Sequence, residues 1–263
     1  MAKGSSDMCE IFGLCASRNV RVNDYLKEFF SHSNKHPNGW GLAILEGNTA
    51  QIEREPIQAS KSYYLHERLS ADVTGKNIFA HIRFATIGDM EYNNCHPFTE
   101  KDDSGRLWTL VHNGTIFGYD KLNGYIYLQK GQTDSERVLL YIVDEINNAE
   151  RHRGRLNAKE RFELLDGIFA DMSAGNKLNV LLYDGEYMYV HSNYENSLYF
   201  QQTEGGVVFA TSPLDKGKWQ LVPVTTLTAY SGGEKVFTGR RHGNIYKDNP
   251  DDLKYLFQAY SGL

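Results

Sequence analysis

Four short stretches of the sequence contain residue types that do chemistry in protein sites. They are Met8-Cys9-Glu10-Ile11-Phe12-Gly13, His81-Ile82-Arg83-Phe84-Ala85-Thr86-Ile87-Gly88, Val111-His112-Asn113-Gly114 and Thr133-Asp134-Ser135-Glu136. A cysteine thiolate can attack a carbonyl carbon, and an amide N–H can stabilise the oxyanion that results. An arginine can bind a carboxylate through a pair of hydrogen bonds, and a carboxylate can bind an ammonium group. Cys9, Arg83, Asn113 and Asp134 are therefore the residues that could carry chemistry.

Each of these residues also has an ordinary structural explanation. A lone cysteine on a strand is more often a small buried apolar residue than a nucleophile. Asn113-Gly114 is the typical dipeptide of a type I′ hairpin turn, and Asp134 at a helix start is favoured by the helix dipole alone. Arg83 between apolar residues could be a paired arginine at a sheet end. Taken singly, the residues leave both interpretations open.

Hydrophobic patterning predicts the elements of the first half of the chain, which must position these residues. Strands are predicted at Cys9–Leu14, Gly41–Leu45, Ala50–Arg54, Asn77–Phe84 and Leu107–His112, and helices at Val22–Phe30 and near Ser60–Ser70. The connection from Ala85 to Arg106, roughly 20 residues, is longer than an ordinary loop and is a candidate functional loop. A capping box at Thr133 and Glu136 predicts a helix, and Asn157 with Glu160 predicts another that Gly175 stops.

The second half of the chain is predicted to consist of short strands in succession. They are Leu178–Tyr183, Tyr187–His191, Leu198–Gln202, Val207–Thr211, Thr226–Ala229 and Lys235–Phe237. Strands in runs and helices in runs indicate an α+β fold with antiparallel sheets. The sequence contains no linker, repeat or low-complexity tract, which favours one domain.

The composition excludes several classes of protein. The formal net charge of −5 is unlike that of a nucleic-acid binder, and no apolar stretch is long enough to span a membrane. We therefore expect neither nucleic acid nor membrane as a partner, and a cytoplasmic location. The 3 cysteines have no CxxC spacing, so neither a disulfide framework nor a bound metal is expected. No P-loop or dinucleotide fingerprint is present, and no cofactor is predicted.

Taken together and in this order, the four stretches resemble the glutaminase domain of the class II glutamine amidotransferases, which are N-terminal nucleophile hydrolases. Members of this family begin with a cysteine and carry H-x-R-x-A-T, H-N-G and T-D-[ST]-E. The further stretches Asn38-Gly39-Trp40-Gly41-Leu42-Ala43 and Phe209-Ala210-Thr211-Ser212-Pro213-Leu214 look like the stand-alone members, which lack a fused synthase domain. The resemblance implies a four-layer αββα sandwich of two antiparallel sheets.

The resemblance also implies a role for each site residue. Cys9 would be the nucleophile that forms a γ-glutamyl thioester, and Asn113 and Gly114 would supply the oxyanion donors. Arg83 and Thr86 would bind the carboxylate of glutamine, Asp134 would bind its ammonium group, and Trp40 and His96 would flank the site. A rival Cys95–His96 pair is disfavoured because sequence neighbours rarely face each other productively. Phe84 and Ile87 replace the Trp and His that many synthase-fused relatives carry.

Cys9 is preceded by eight residues, although the family's nucleophile is the first residue of the mature chain. We expect residues 1–8 to be a tag, a propeptide or another added segment, and residues 9–263 to be a single amidotransferase domain. The predicted function is hydrolysis of glutamine with release of ammonia, in an enzyme with a synthase partner or as a homo-oligomer. Two alternatives stay open: hydrolysis of a γ-glutamyl peptide related to glutathione or ergothioneine intermediates, and a non-catalytic regulatory protein that retains the fold.

Overall fold

Two antiparallel β-sheets form the centre of the computed structural model, which describes residues 9–85 and 88–249. In spatial order the first sheet contains β11 (Gln220–Leu221), β9 (Tyr199–Thr203), β10 (Gly206–Ala210), β1 (Glu10–Arg21), β4 (Thr74–Ile82), β2 (Trp40–Glu46) and β3 (Thr49–Glu55). The second contains β13 (Glu234–Thr238), β12 (Thr228–Ser231), β8 (Met188–His191), β7 (Lys177–Tyr183), β6 (Leu107–Thr115) and β5 (Phe98–Lys101). The four α-helices in the described ranges are α1 (Asn23–Ser31), α2 (Tyr63–Ser70), α3 (Asp134–Arg153) and α4 (Ala158–Met172).

Three apolar cores define the order of the layers. Alternation along β1 sends Phe12 and Leu14 into a core shared with α1 and α2, whereas Ile11 and Cys15 enter a core shared with the second sheet. The second sheet packs its other face on α3 and α4. This arrangement is the four-layer αββα sandwich, so the expected fold class is confirmed.

The helix starts follow the predicted capping chemistry, with one difference. Asn157 and Glu160 form a complete capping box at the start of α4. At α3 the Thr133 side chain accepts the N–H of Glu136 at 3.3 Å, but the Glu136 carboxylate instead accepts the N–H groups of Lys130 and Gly131, both at 2.8 Å. Glu136 therefore orders the loop that leads into the helix.

The prediction of a long loop from Ala85 to Arg106 is partly wrong. Residues 85–106 contain a 3₁₀ helix at Tyr92–Asn94 and the edge strand β5, which pairs with β6 from Phe98 opposite Leu110. The two-residue strand β11 was also not predicted from the sequence. The strands β5 and β11 are only 4 and 2 residues long, too short for hydrophobic periodicity to give a signal.

The described ranges contain no helix long and apolar enough to cross a membrane. Within the same ranges, no three His, Cys, Asp or Glu side chains cluster in a way that could hold a metal ion. Thr86, Ile87 and residues 1–8, for which the sequence makes predictions, lie outside the described residues.

Candidate active site

The Cys9 thiol lies at the start of β1, against the chain that leaves β4. Its Sγ atom is 3.3 Å from both the backbone nitrogen and the backbone oxygen of Phe84. The register of the two strands places Glu10 opposite Ile82, so Cys9 lies beside Arg83. Antiparallel pairing thus brings together two motifs that are more than seventy residues apart in the sequence.

Burial raises the pKa of the Cys9 thiol to about 11. The Phe84 backbone and the Arg83 charge act in the opposite direction, and the Asp134 charge adds to the increase. The charges of Arg83 and Asp134 therefore both act on the same thiol. At neutral pH this thiol is protonated, so attack on a carbonyl needs a base to remove the proton.

Arg83 is held from both its backbone and its side chain. Its backbone N–H donates to Gly39 at 2.8 Å, and its carbonyl accepts the N–H of Asn38 at 3.1 Å. The residue is 3% exposed, and its guanidinium donates to the carbonyls of Gly88 and Asp89, both at 2.8 Å. The position of this positive charge is therefore coupled to the path of the loop that begins at residue 88.

Asn113 and Gly114 lie within strand β6, so the hairpin-turn interpretation of this dipeptide is wrong. They pair with Asn179 and Leu178 of β7. A Cβ atom on Gly114 would lie 2.0 Å from the carbonyl oxygen of Lys177, so only glycine permits this approach of the two strands.

The Asn113 side chain is buried without a hydrogen-bond partner among the described residues. It is 1% exposed, and neither its amide nitrogen nor its amide oxygen meets a partner. Val111, two residues earlier on β6, belongs to the core between the two sheets, so alternation directs Asn113 toward the same space. Its neighbour across the strands, Asn179, is fully paired with Ser192 and Ser197.

Asp134 is the first residue of α3 and is buried beside the end of β6. One carboxylate oxygen accepts the N–H of Ile116 at 2.8 Å, and the other accepts the N–H of Ser135 at 2.9 Å. Ile116 follows β6 directly, and the Asp134 charge acts on Cys9. The end of β6 that carries Asn113 is therefore the end near the thiol.

The remaining predicted site residues lie in different places. Trp40 is fully buried on the helix side of the first sheet, where its ring packs near Phe30 and its indole N–H donates to Glu55 at 3.1 Å. The His96 ring stacks on His81 with 4.0 Å between the ring centroids. The structure therefore brings His96, but not Trp40, to the face of the sheet that carries Cys9 and Arg83.

The Cys95 thiol does not engage the ring of His96. It lies 3.5 Å from the carbonyl oxygen of Glu55 and 3.4 Å from that of Glu91, and burial raises its pKa to about 11. Burial also holds the pKa of His96 well below its usual range. The ring nitrogens of His81 and His96 meet no hydrogen-bond partner among the described residues. Neither histidine is therefore paired with a cysteine.

Sequence reasoning missed two residues that hold the site together. Glu10 accepts hydrogen bonds from His32 and His36 on the helix side of Cys9, and the Asn38 side chain accepts the N–H of Ala85 at 3.0 Å. Both residues stand inside stretches that drew attention because of other residues. Glu10 directly follows Cys9, and Asn38 begins the stretch Asn38-Gly39-Trp40. That position was the signal that could have identified them.

Comparisons with known proteins identify the family of this chain. Residues 8–202 match the family model described as class II glutamine amidotransferases. An uncharacterized protein of Methanocaldococcus jannaschii is 30% identical over 262 aligned positions, which cover 89% of this chain and 72% of that protein.

Solved structures share the fold. A chain described as a "predicted glutamine amidotransferase" from Pseudomonas aeruginosa superposes with a TM-score of 0.63 at 20% identity, over 87% of this chain and 100% of that one. The glutamine phosphoribosylpyrophosphate amidotransferase of B. subtilis superposes with a TM-score of 0.65 at 17% identity. That superposition covers 90% of this chain and 50% of the B. subtilis chain.

Proposed function

The chain belongs to the class II glutamine amidotransferases, and from this premise we propose that it hydrolyses the side-chain amide of glutamine at Cys9 and releases ammonia. In the first step the Cys9 sulfur bonds to the amide carbon, the carbon–nitrogen bond breaks, and the nitrogen leaves as ammonia with the thiol proton. In the second step water attacks the thioester, the carbon–sulfur bond breaks, and glutamate leaves.

The unpaired amide of Asn113 is the observation that supports this proposal best. Leaving a buried amide without a partner costs roughly 1–3 kcal/mol, which a bound ligand would recover. The substrate group suited to an amide N–H is an oxygen that gains negative charge as the carbonyl becomes tetrahedral. Asn113 faces the space between the sheets at the end near Cys9, where such an oxygen would form.

Arg83 and Asp134 would recognise the far end of free glutamine. The guanidinium suits the α-carboxylate, with Thr86 adding a hydroxyl, and the Asp134 carboxylate suits the α-ammonium group. A glutamine within a polypeptide has neither charge. The two residues would therefore restrict the reaction to a free amino acid or to a small γ-glutamyl compound.

The proton of the buried thiol needs a base. A free α-amino group has a pKa near 7.7–8.0, and in a chain that begins at Cys9 this group belongs to the nucleophile itself. It would accept the thiol proton and return it to the leaving ammonia. The ammonia would then pass to an acceptor site on a synthase partner.

Substitution of each cysteine tests the proposed nucleophile. Ammonia release should be measured with glutamine and with a panel of γ-glutamyl peptides, for a chain that begins at residue 9. Cys9→Ala should abolish turnover, whereas Cys15→Ala and Cys95→Ala should retain it, because the Cys15 thiol is buried in the core between the sheets and the Cys95 thiol is buried against the carbonyls of Glu55 and Glu91. Equal turnover by Cys9→Ala would contradict the proposal, and a preference for the peptides would identify the other substrate class.

A further inference from the structure

Glu10, the residue after the nucleophile, is fixed by two histidines on the helix side of β1. Its carboxylate lies 2.8 Å from Nδ1 of His32 and 3.3 Å from Nε2 of His36. The Glu10 side chain is 15% exposed and the His36 side chain is 5% exposed. These contacts connect the start of β1 to the segment that follows α1.

The same segment holds the other wall of the site. Asn38 binds the backbone of Arg83 through its own N–H and the backbone of Ala85 through its side chain. The His36 ring packs edge-on against the ring of Phe84, with 6.4 Å between the centroids. Since the Phe84 backbone contacts Cys9 Sγ, both walls of the site depend on residues 32–38.

A strand that begins at its nucleophile needs such a connection. The first residues of a chain are poorly ordered unless other contacts hold them. Beyond Cys9 itself, the start of β1 pairs on one edge with β4, where Glu10 lies opposite Ile82, and on the other edge the Thr211 hydroxyl accepts the N–H of Ile11 at 2.8 Å. Glu10 supplies a contact on the face toward the helices.

We propose that Glu10, bound by His32 and His36, is a positioning residue that fixes the nucleophile strand relative to the Arg83–Ala85 segment. The proposal rests on the proposed function, because it assumes that Cys9 acts as the first residue. Glu10 lies on the opposite face of the strand from the thiol and would not touch the substrate.

The charge state of the cluster supports this role. Burial acts to raise the pKa of Glu10, but hydrogen bonds from His32 and His36 lower this pKa to about 2. The hydrogen bond to Glu10 in turn raises the pKa of His32. The carboxylate is therefore ionised at neutral pH and forms charge-assisted hydrogen bonds, which are stronger than neutral ones.

Kinetics of Glu10→Gln and Glu10→Ala, with Glu28→Gln as the matched control, test the proposal. Glu28 also lies near His32, at 3.6 Å, but its side chain is 54% exposed. We expect kcat for glutamine to fall roughly 10- to 100-fold in Glu10→Ala, as for a small displacement of a reacting group. Glu10→Gln should lie between Glu10→Ala and the wild type, and KM should change less than about threefold. Glu28→Gln should retain wild-type kinetics.

Hydrogen exchange by mass spectrometry separates this proposal from the proposed function. Amides in the peptide that begins at Cys9 should exchange faster in Glu10→Ala than in Glu28→Gln or the wild type. If no variant, including the wild type, releases ammonia, the proposed function is wrong while the exchange rates still decide whether Glu10 fixes the strand. Unchanged exchange in both Glu10 variants, or an increase in KM with unchanged kcat, would overturn the positioning role.

Discussion

Arg83 and Asn113 meet different parts of the substrate in the proposed function, so their substitutions should have different kinetic effects. Arg83 faces a charge that is present throughout the reaction, whereas Asn113 faces an oxygen whose charge appears only in the transition state. An interaction made equally in both states affects KM, and one made only in the transition state affects kcat. The two residues therefore give separable predictions.

Arg83→Lys should raise KM for glutamine by roughly 10- to 100-fold, which corresponds to the loss of one hydrogen bond to a charged group. A lysine keeps the charge but cannot reproduce the planar pair of donors. The control for these steady-state kinetics is Arg68→Lys. Arg68 forms an ion pair with Glu53, remote from the thiol. An equal loss of kcat in Arg83→Lys would show that the arginine acts in the chemical step.

Asn113→Ala should lower kcat about a hundredfold with little change in KM, because its donor acts mainly in the transition state. The smaller side chain also removes an amide that has no hydrogen-bond partner in the described part of the chain, so the free energy of unfolding should change little. Asn148→Ala on α3 serves as the control. A large loss of stability, or a KM effect as large as that on kcat, would count against the oxyanion role.

Reactivity of Cys9 should follow its raised pKa. In a chain that retains residues 1–8, alkylation of Cys9 by iodoacetamide should accelerate about tenfold per pH unit from neutrality toward pH 11, because only the thiolate reacts. Peptide mapping by mass spectrometry distinguishes Cys9 from Cys15 and Cys95, which are buried. A plateau near pH 8.5 would indicate an exposed, unperturbed thiol.

At the scale of elements, the Glu10–His32 connection between β1 and the end of α1 should give a specific pH dependence of stability. The pKa of Glu10 falls to about 2 in the folded chain, so its contribution is present above about pH 4.5 and is lost toward pH 2. The pKa of His32 is raised on folding, so its contribution is complete below about pH 6.5 and is lost as pH rises through the folded value.

The free energy of unfolding of the wild type should therefore exceed that of Glu10→Gln most between about pH 4.5 and 6.5. The difference should be roughly 1.5–3 kcal/mol, as for one hydrogen bond to a charged group. Urea unfolding at several pH values measures it. Glu28 and His36 are the other titratable groups next to this pair, and a difference independent of pH would show that packing alone accounts for the effect.

Elements with strong periodicity or capping signals could be predicted from the sequence, and those defined by pairing could not. The apolar stripe of α1 and the capping residues of α3 and α4 are local signals, and the helices begin where these signals place them. The edge strand β5 is defined by pairing with β6. The dipeptide Asn113-Gly114 is the opposite case. Its local sequence is typical of a turn, but pairing with β7 holds it in a strand.

At the scale of the whole molecule, the candidate site depends on the stacking of the two sheets. Cys9 directly precedes β1 and Arg83 directly follows β4 of the first sheet, whereas Asn113 lies on β6 of the second sheet and Asp134 begins α3, which packs on that sheet. The order of the motifs in the sequence predicted that these residues act together. The expectation that the two sheets stack came from the family resemblance. The place of Glu10 and Asn38 inside the noted stretches marked them as candidates, but their contacts could not be predicted, because the partners lie far away in the sequence, His32 and His36 for Glu10 and Ala85 for Asn38.

The last prediction concerns the chain as a whole, because it depends on where the chain begins. A chain that retains residues 1–8 should release ammonia from glutamine roughly 10²–10⁴-fold more slowly than a chain that begins at Cys9. In the longer chain the Cys9 nitrogen is part of a peptide bond, so it can neither accept the thiol proton nor return it to the leaving ammonia.

Intact-mass analysis and the ammonia assay must be made on the same samples, so that the chain present is the chain measured. A preparation trimmed by an aminopeptidase to Cys9 should gain activity as the mass of residues 1–8 is lost. The Glu10→Ala chain, trimmed in the same way, should gain less, because its α-amine is released at a strand end that lacks the contacts of Glu10 with His32 and His36. Full turnover by a chain shown by mass to retain residues 1–8 would mean that the base is another group, and that the thiol with a pKa of about 11 is activated from outside β1.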